Sequence, residues 1–400
     1  MNKEATFTSR FSDLDTEPLS VDLYTEDRYF EAQKEKIFKK CWLFAGLANQ
    51  IPNPGDYFLK KLPTLDMSVL FVRGKDGVVR GFDNICPHRG TNLCNESAGH
   101  LPRFTCPFHA WTFDTQGKLI GVPAGQTFFD MNKADYGLRA IKTDLCGDFI
   151  FFTLDDHQPE SLEAFLGELA PVLCGLPAQQ WTAHYNTHTR IKANWIITLD
   201  GTRESYHVFS LHKKTGAAAN SDATHMGTLT NARDLGYHAR SGYWGNQAYS
   251  PSVLECAAAE AAPRSRGTTS GNVGRPTDVC PVVNENNHPE WSIDVYSIFP
   301  NTVISTNGFQ MNLQQSWPTS PRDTIGELYG YFPGATTAAE RFALELGLVQ
   351  ARDVTNEDIN NYERMQANYD GGRIDRILFG DLEVLCRHHY SAMHRWLDAH

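Results

Sequence analysis

No long apolar run interrupts this chain of 400 residues. Its densest stretch, Phe149-Ile150-Phe151-Phe152, falls far short of the roughly 20 residues needed to cross a bilayer. The N-terminal stretch Met1–Ser20 is polar and holds no apolar signal-peptide core, so a cytoplasmic protein without a membrane partner is expected. Positive charge is also scarce. Lys+Arg 36 against Asp+Glu 47 leaves a net charge of -11, which argues against nucleic acid, since phosphate binding needs a basic surface. A dinucleotide fingerprint is missing too: neither Gly371-Gly372 nor Gly121 to Gly125 opens a βαβ unit. No internal repeat is seen. What remains is a globular composition, 41% hydrophobic and 21% charged, with a length that suggests two or three domains.

The nine cysteines are odd in number and widely scattered, which does not suit a disulfide framework. Closely spaced Cys in such a chain reads as metal ligation or core packing. Along the chain, residues 1 to 20 read as a flexible arm and Asp22 to Phe44 as helical. From Gly55 to Leu154 short β-type runs dominate, including hairpins around Gly74 to Gly77 and around Gln116-Gly117. Ser161 to Leu173, Thr337 to Ala367 and Leu382 to Leu397 read as helices. Ile293 to Phe299, Thr302 to Thr306 and Thr324 to Phe332 read as antiparallel strands. Residues 256 to 278, rich in Ala, Gly, Ser, Thr and Pro, read as a long loop.

Two motifs sit in the β region, Cys86-Pro87-His88-Arg89-Gly90 and Cys106-Pro107-Phe108-His109. The pattern is C-x-H, seventeen residues, then C-x-x-H. Two loops, each with one thiolate and one imidazole, can hold tetrahedral zinc or a [2Fe–2S] cluster with Cys on one iron and His on the other. Ligand type alone does not separate these.

A second constellation lies in Asn194 to His212. Glu204 and His207 are three apart and would share a helical face. His207 and His212, five apart, diverge by about 140° on a helix, so both reach one metal only if the helix bends or ends between them. Two His and a carboxylate make a facial triad that leaves positions open on Fe(II). A carboxylate pair, Glu357-Asp358, appears in Val354 to Gln366, where the plain alternative is a helix N-terminus favouring negative charge.

The stretches CPHRG and CPFHAWTFDTQGKL, the segment NW…ESYHVFSLH and the late acidic segment closely resemble the Rieske-type non-haem iron oxygenase α subunits, of the aromatic-ring-hydroxylating dioxygenase family, over nearly the whole chain. The resemblance implies an α+β fold: an all-β Rieske [2Fe–2S] domain plus a helix-grip (START-like) catalytic domain with a large antiparallel sheet. It divides the chain into an arm and helix at 1–40 packing on the catalytic domain, a Rieske domain at 41–155, and a catalytic domain at 156–400. Cys86, His88, Cys106 and His109 would hold the cluster. His207, His212 and Asp358 would hold mononuclear Fe(II), the Gln eight residues on selecting Asp358 over Glu357 or Asp353. Glu204 would bridge to the second Rieske His of a neighbouring subunit, His109, across the interface of a homotrimer or of an α3β3 assembly with a β subunit.

The same resemblance implies a terminal oxygenase that takes electrons from an NAD(P)H reductase, with or without a ferredoxin, and uses O2 on a small-molecule substrate. An aromatic or similarly apolar ring is the leading substrate, with Phe209, Tyr243, Trp244, Tyr249, Trp291, Tyr296, Phe299 and Phe309 as potential lining, although most of these read as core rather than pocket. The alternative is oxidative demethylation or cleavage of a methylated or quaternary amine, of the carnitine and glycine betaine type, since Glu204 stands where many ring-hydroxylating members carry Asp. A non-enzymatic electron carrier and a zinc-bound interaction protein are further readings. Gly201 and Thr202 depart from residues that are often Asn and aromatic, and Arg203 is unexpected beside an apolar pocket.

Overall fold

The computed structural model describes residues 6–11, 13–213, 215, 217–261 and 280–400. They form two compact units: Phe38–Phe165, and the residues up to Ile37 together with Leu166–His400. Each has its own sheet and core, and the architecture is α+β.

In the smaller unit seven antiparallel strands run in the order Leu43–Leu47, Phe149–Thr153, Ala140–Cys146, Val79–Asp83, Met67–Arg73, Asp56–Leu62 and Ala98–His100. The run Phe149–Thr153 is buried at every position, because it is an inner strand covered on both faces. Leu43–Leu47 is its neighbour, so the helical reading of Asp22 to Phe44 fails at its end. The chain is helical only through Asp22–Thr25, Asp27–Gln33 and Lys34–Phe38 before it turns into the sheet. A second sheet of Phe104–Thr105, Thr112–Phe113 and Leu119–Gly121 packs its Phe104, Phe113 and Leu119 on Tyr57, Leu70 and Phe82. This core anchors the two Cys-His loops.

The larger unit is built on seven antiparallel strands in the order Ala183–Ile191, Asp323–Phe332, Met311–Ser320, Thr302–Thr306, Trp291–Ile298, His238–Trp244 and Leu229–Leu235. Helix Trp195–Arg203 starts at Asn194, whose side chain accepts from Ile196 N at 2.9 Å. Thr198 Oγ1 then meets Ser316 Oγ at 2.7 Å, and Gln314 Nε2 donates to Thr198 O at 2.9 Å. These bonds tie the helix to the sheet. The 33-residue helix Ala338–Asp370 opens with a capping box between Thr337 and Glu340.

Two expectations need correction here. The described part of the N-terminal arm is tied down: Leu19–Ser20 pairs with Arg376–Ile377, Asp381 accepts from Thr8 N at 2.7 Å, and Phe11 is buried. Of the long loop, the portion up to Ala261 belongs to helix Val253–Ala261, and the remainder lies outside the described residues. Among the described residues no helix is long and apolar enough to cross a membrane, and no disulfide joins any of the cysteines.

Candidate cluster site and mononuclear metal centre

The two Cys-His loops are near copies in backbone terms. Gly90 N donates to Cys86 O at 2.9 Å and Ala110 N to Cys106 O at 3.0 Å, while Cys86 N and Cys106 N donate across to Thr91 O and Trp111 O. Each turn closes on a left-handed residue, Gly90 at φ 78 and Ala110 at φ 53. The thiols of Cys86 and Cys106 are buried. Burial pushes the Cys86 thiol up, and the neighbouring Cys106 adds to it. The His88 and His109 rings lie 4.6 Å apart, centre to centre, and His88 stacks flat on Trp111 at the same distance. Burial, then His109 and Arg89, lowers the proton affinity of His88. The Nδ1 atoms of both rings are buried without a hydrogen-bond partner, although buried polar nitrogen is normally satisfied. Two orphaned imidazole nitrogens beside two buried thiols fit a [2Fe–2S] cluster with Cys on one iron and His on the other.

In the larger unit the chain solves the angular problem of the His pair by ending a helix. Trp195–Arg203 stops at an extended Glu204 (φ -132, ψ 165), so Glu204 and His207 do not share a helical face. A single helical turn, Val208–Leu211, follows, with His207 at its N-cap and His212 at its C-cap. Glu204 Oε2 accepts the backbone N–H groups of Tyr206 and His207, and Oε1 contacts His207 Nδ1. Asp358 reaches in from helix Ala338–Asp370. It lies in the helix interior, so the reading of a carboxylate placed for a helix N-terminus fails.

The three side chains converge. His207 Nε2 and His212 Nε2 are 3.1 Å apart, and Asp358 Oδ1 stands 3.5 Å from the first and 3.0 Å from the second. Among the described residues this is the group of His, Cys, Asp and Glu donors close enough to share an ion. Glu357 Oε2 contacts His212 Nδ1 at 2.8 Å and accepts from Thr215 Oγ1 at 2.8 Å. Both imidazoles therefore direct Nδ1 to a carboxylate and Nε2 inward. With Nδ1–H donating, two nitrogen lone pairs and a carboxylate oxygen face one another, a donor set that calls for a cation. The electrostatics agree. Burial opposes charge on His207 and His212, but Glu204 and Asp358 for the first, and Asp358 and Glu357 for the second, outweigh it and raise their proton affinity. The bond from His212 holds Glu357 below the usual carboxylate range.

Two cavities flank this triad. One of about 310 Å³ is bordered by all three triad residues, by the sheet and by helix Ala338–Asp370. The other, of about 450 Å³, is bordered by Glu204, His207 and Asp358 together with Tyr24, Asp200, Tyr362 and Tyr369. None of the eight aromatic residues weighed as lining or core borders either cavity. Tyr243, Trp244, Trp291, Tyr296 and Phe299 are core. Arg203 borders neither cavity: fully buried, it bonds Ser297 Oγ at 2.9 Å and Asp200 at 3.4 Å. Gly201 is explained by Tyr362, whose hydroxyl would overlap any Cβ added there. Sequence reasoning missed the bond from Glu357 to His212, having weighed Glu357 only as a rival ligand or as part of a helix N-terminus.

The comparisons fit this geometry. Residues 41–136 match the Rieske [2Fe-2S] domain, and residues 178–399 match the catalytic domain of the ring hydroxylating alpha subunit. The chain therefore belongs to the ring-hydroxylating α-subunit family of Rieske oxygenases, whose cofactors are a Rieske [2Fe–2S] cluster and a mononuclear iron. Among its relatives is the glycine betaine monooxygenase oxygenase subunit of Pseudomonas aeruginosa (strain UCBPP-PA14), 33% identical over 196 residues, which are 48% of this chain and 44% of that protein. The chain thus spans about half the length of the curated relatives it matches. A quaternary ammonium Rieske monooxygenase shares the fold at a TM-score of 0.72 and 20% identity, over 94% of each chain. Naphthalene 1,2-dioxygenase from Rhodococcus sp. does so at 0.74 and 18%, over 96% of this chain and 94% of that one.

Proposed function

We propose that this chain is the terminal oxygenase of a multicomponent system. In this reading Cys86, His88, Cys106 and His109 hold the cluster, and His207, His212 and Asp358 hold the iron. The observation that carries it is the convergence of His207 Nε2, His212 Nε2 and Asp358 Oδ1 beside a cavity of about 310 Å³. Bound iron would supply the O2 chemistry that inserts one or two oxygen atoms into a substrate, with electrons stored at the cluster. The protein's part is positional. Glu204 and Glu357 fix the two imidazoles with Nε2 inward, and the cavity between sheet and helix gives a substrate a place beside the triad.

Glu204 is assigned the bridging role because it holds His207 and also borders the second cavity. In a head-to-tail ring of three copies, a heterologous contact that closes, His109 of one copy would meet Glu204 of the next. A separate reductase, with or without a ferredoxin, is the electron donor. A second reading, demethylation or cleavage of a methylated or quaternary amine, is supported by the similarity to the glycine betaine relative over half the chain.

The test is metal and product analysis on the purified protein with a surrogate reductase, NADH and isotopically labelled O2. Iron and acid-labile sulfide in the ratio of one [2Fe–2S] cluster plus one further iron, with label in the product, is the expected result. Zinc without sulfide would sink the proposal. Formaldehyde release from an amine, without ring hydroxylation, would select the second reading.

A further inference from the structure

His207, His212 and Asp358 all border the 310 Å³ cavity, which is of a size for a molecule with one or two rings. Its walls differ in kind. The roof is one face of helix Ala338–Asp370, where Leu344, Leu348, Ala351 and Val354 recur at helical spacing. The floor comes from the sheet, where Ser305 pairs with Asn312 and Val303 with Gln314. Side chains alternate along a strand, so these four share one face, and three of them are polar.

Some of that polarity is already used within the protein. Gln314 accepts from Thr202 and donates to Thr198 O, and Asn220 Oδ1 accepts from Ser292 Oγ at 2.7 Å. The side chains of Ser305, Gln310 and Asn312 border the cavity and make no hydrogen bond among the described residues. Among the described residues no Lys or Arg borders the cavity, and Phe332 is the one Phe, Tyr or Trp in its lining.

Building on the oxygenase reading above, we propose that the substrate is an uncharged ring compound bearing a carbonyl, amide or hydroxyl group. That group sits on Ser305, Gln310 and Asn312, and the apolar face of the ring lies under Leu344 and Leu348. A ring carboxylate would find no Lys or Arg counter-ion among the described lining residues. A quaternary ammonium group would find one ring rather than a cage. An unsubstituted hydrocarbon would leave the floor amides without partners once water is displaced, which is penalised.

The experiment compares 1-indanone with indane, which differ by one carbonyl, and adds benzoate and glycine betaine. Binding to the iron-loaded protein is measured by calorimetry, and turnover separately with a reductase and labelled O2. We expect 1-indanone to bind roughly 10-fold or more tighter than indane. In Asn312→Leu and Gln310→Leu that ratio should fall toward one while indane binding is kept. Preference for indane, benzoate or glycine betaine, or a ratio unchanged in both variants, would overturn the inference. Absence of labelled product from every compound, with cluster and iron both present, would instead overturn the oxygenase reading. The binding ratio decides the substrate class in either case.

Discussion

Glu357 Oε2 lies 2.8 Å from His212 Nδ1, one residue before the carboxylate that meets the same ring's Nε2 at 3.0 Å. A single helical turn of Ala338–Asp370 thus supplies both a proposed metal ligand and the group that aims another. Glu204, three residues before His207 in the same segment, aims that ring, so each imidazole has its own carboxylate and its tautomer is fixed by the protein.

Glu357→Gln follows directly. The amide can still receive Thr215 Oγ1, but it no longer anchors His212 as an anion. Loss of such an outer carboxylate typically weakens a metal site by about 10–100-fold. Chelator competition on the purified protein should show iron leaving the mononuclear site at correspondingly lower chelator, with the cluster's visible absorption unchanged. Equal iron retention in variant and wild type would remove Glu357 from the assignment.

Glu204 and Asp358 are separated by paired substitutions. Glu204→Gln keeps an oxygen for the Tyr206 and His207 amides, so both metal centres should load normally while turnover is nearly abolished. Asp358→Ala should lose the mononuclear iron and retain the cluster absorption. Wild-type turnover in the first variant would end the bridging role of Glu204; unchanged iron in the second would mean another carboxylate is the ligand.

Gly201→Ala tests why the helix before Glu204 carries glycine. Alanine is favoured over glycine within a helix by about 1 kcal/mol. Here, however, the added methyl meets the Tyr362 hydroxyl and ring, and overpacking costs about 1–3 kcal/mol. The clash should win, giving a net loss of melting temperature. Adding Tyr362→Phe removes the nearest atom and should recover part of it. A Gly201→Ala protein more stable than wild type would show that the close approach of the two helices is not required.

The cluster motif was legible in the sequence because its ligands lie in two short loops with fixed spacing. The iron site was legible in its residues but less so in its geometry. A helix carrying Glu204, His207 and His212 is the natural reading of NWIITLDGTRESYHVFSLH, and only the structure shows it broken at Glu204. The catalytic sheet was half visible. Ile293 to Phe299 and Thr302 to Thr306 are rich in β-formers, whereas Ala183–Ile191 reads AHYNTHTRI and Met311–Ser320 reads MNLQQSWPTS. The first is an edge strand with alternating exposure, and the second turns Asn312 and Gln314 toward a cavity rather than a core. Apolar periodicity, the main guide to strands, therefore fails where the sheet is polar. Of the eight aromatic residues weighed as lining or as core, Tyr243, Trp244, Trp291, Tyr296 and Phe299 are core.

Stability against acid should be set in part by His389. The ring is fully buried in helix Val384–Ala399, its Nε2 contacts Pro300 O at 2.8 Å, and its Nδ1 has no partner. Burial, then the nearby Arg203 guanidinium, depresses its proton affinity far below the ordinary histidine value of 6.5. The sign follows from proton counting. Below about pH 6.5 the unfolded chain binds a proton at this position and the folded chain does not, so the folded state loses about 1.4 kcal/mol per pH unit as pH falls. Melting temperatures of the metal-loaded protein taken from pH 7.5 to pH 5 should decline, and His389→Gln, which retains a donor for Pro300 O, should start lower but decline less steeply. Parallel slopes in the two proteins would show that His389 titrates in the folded state and that the acid sensitivity arises elsewhere.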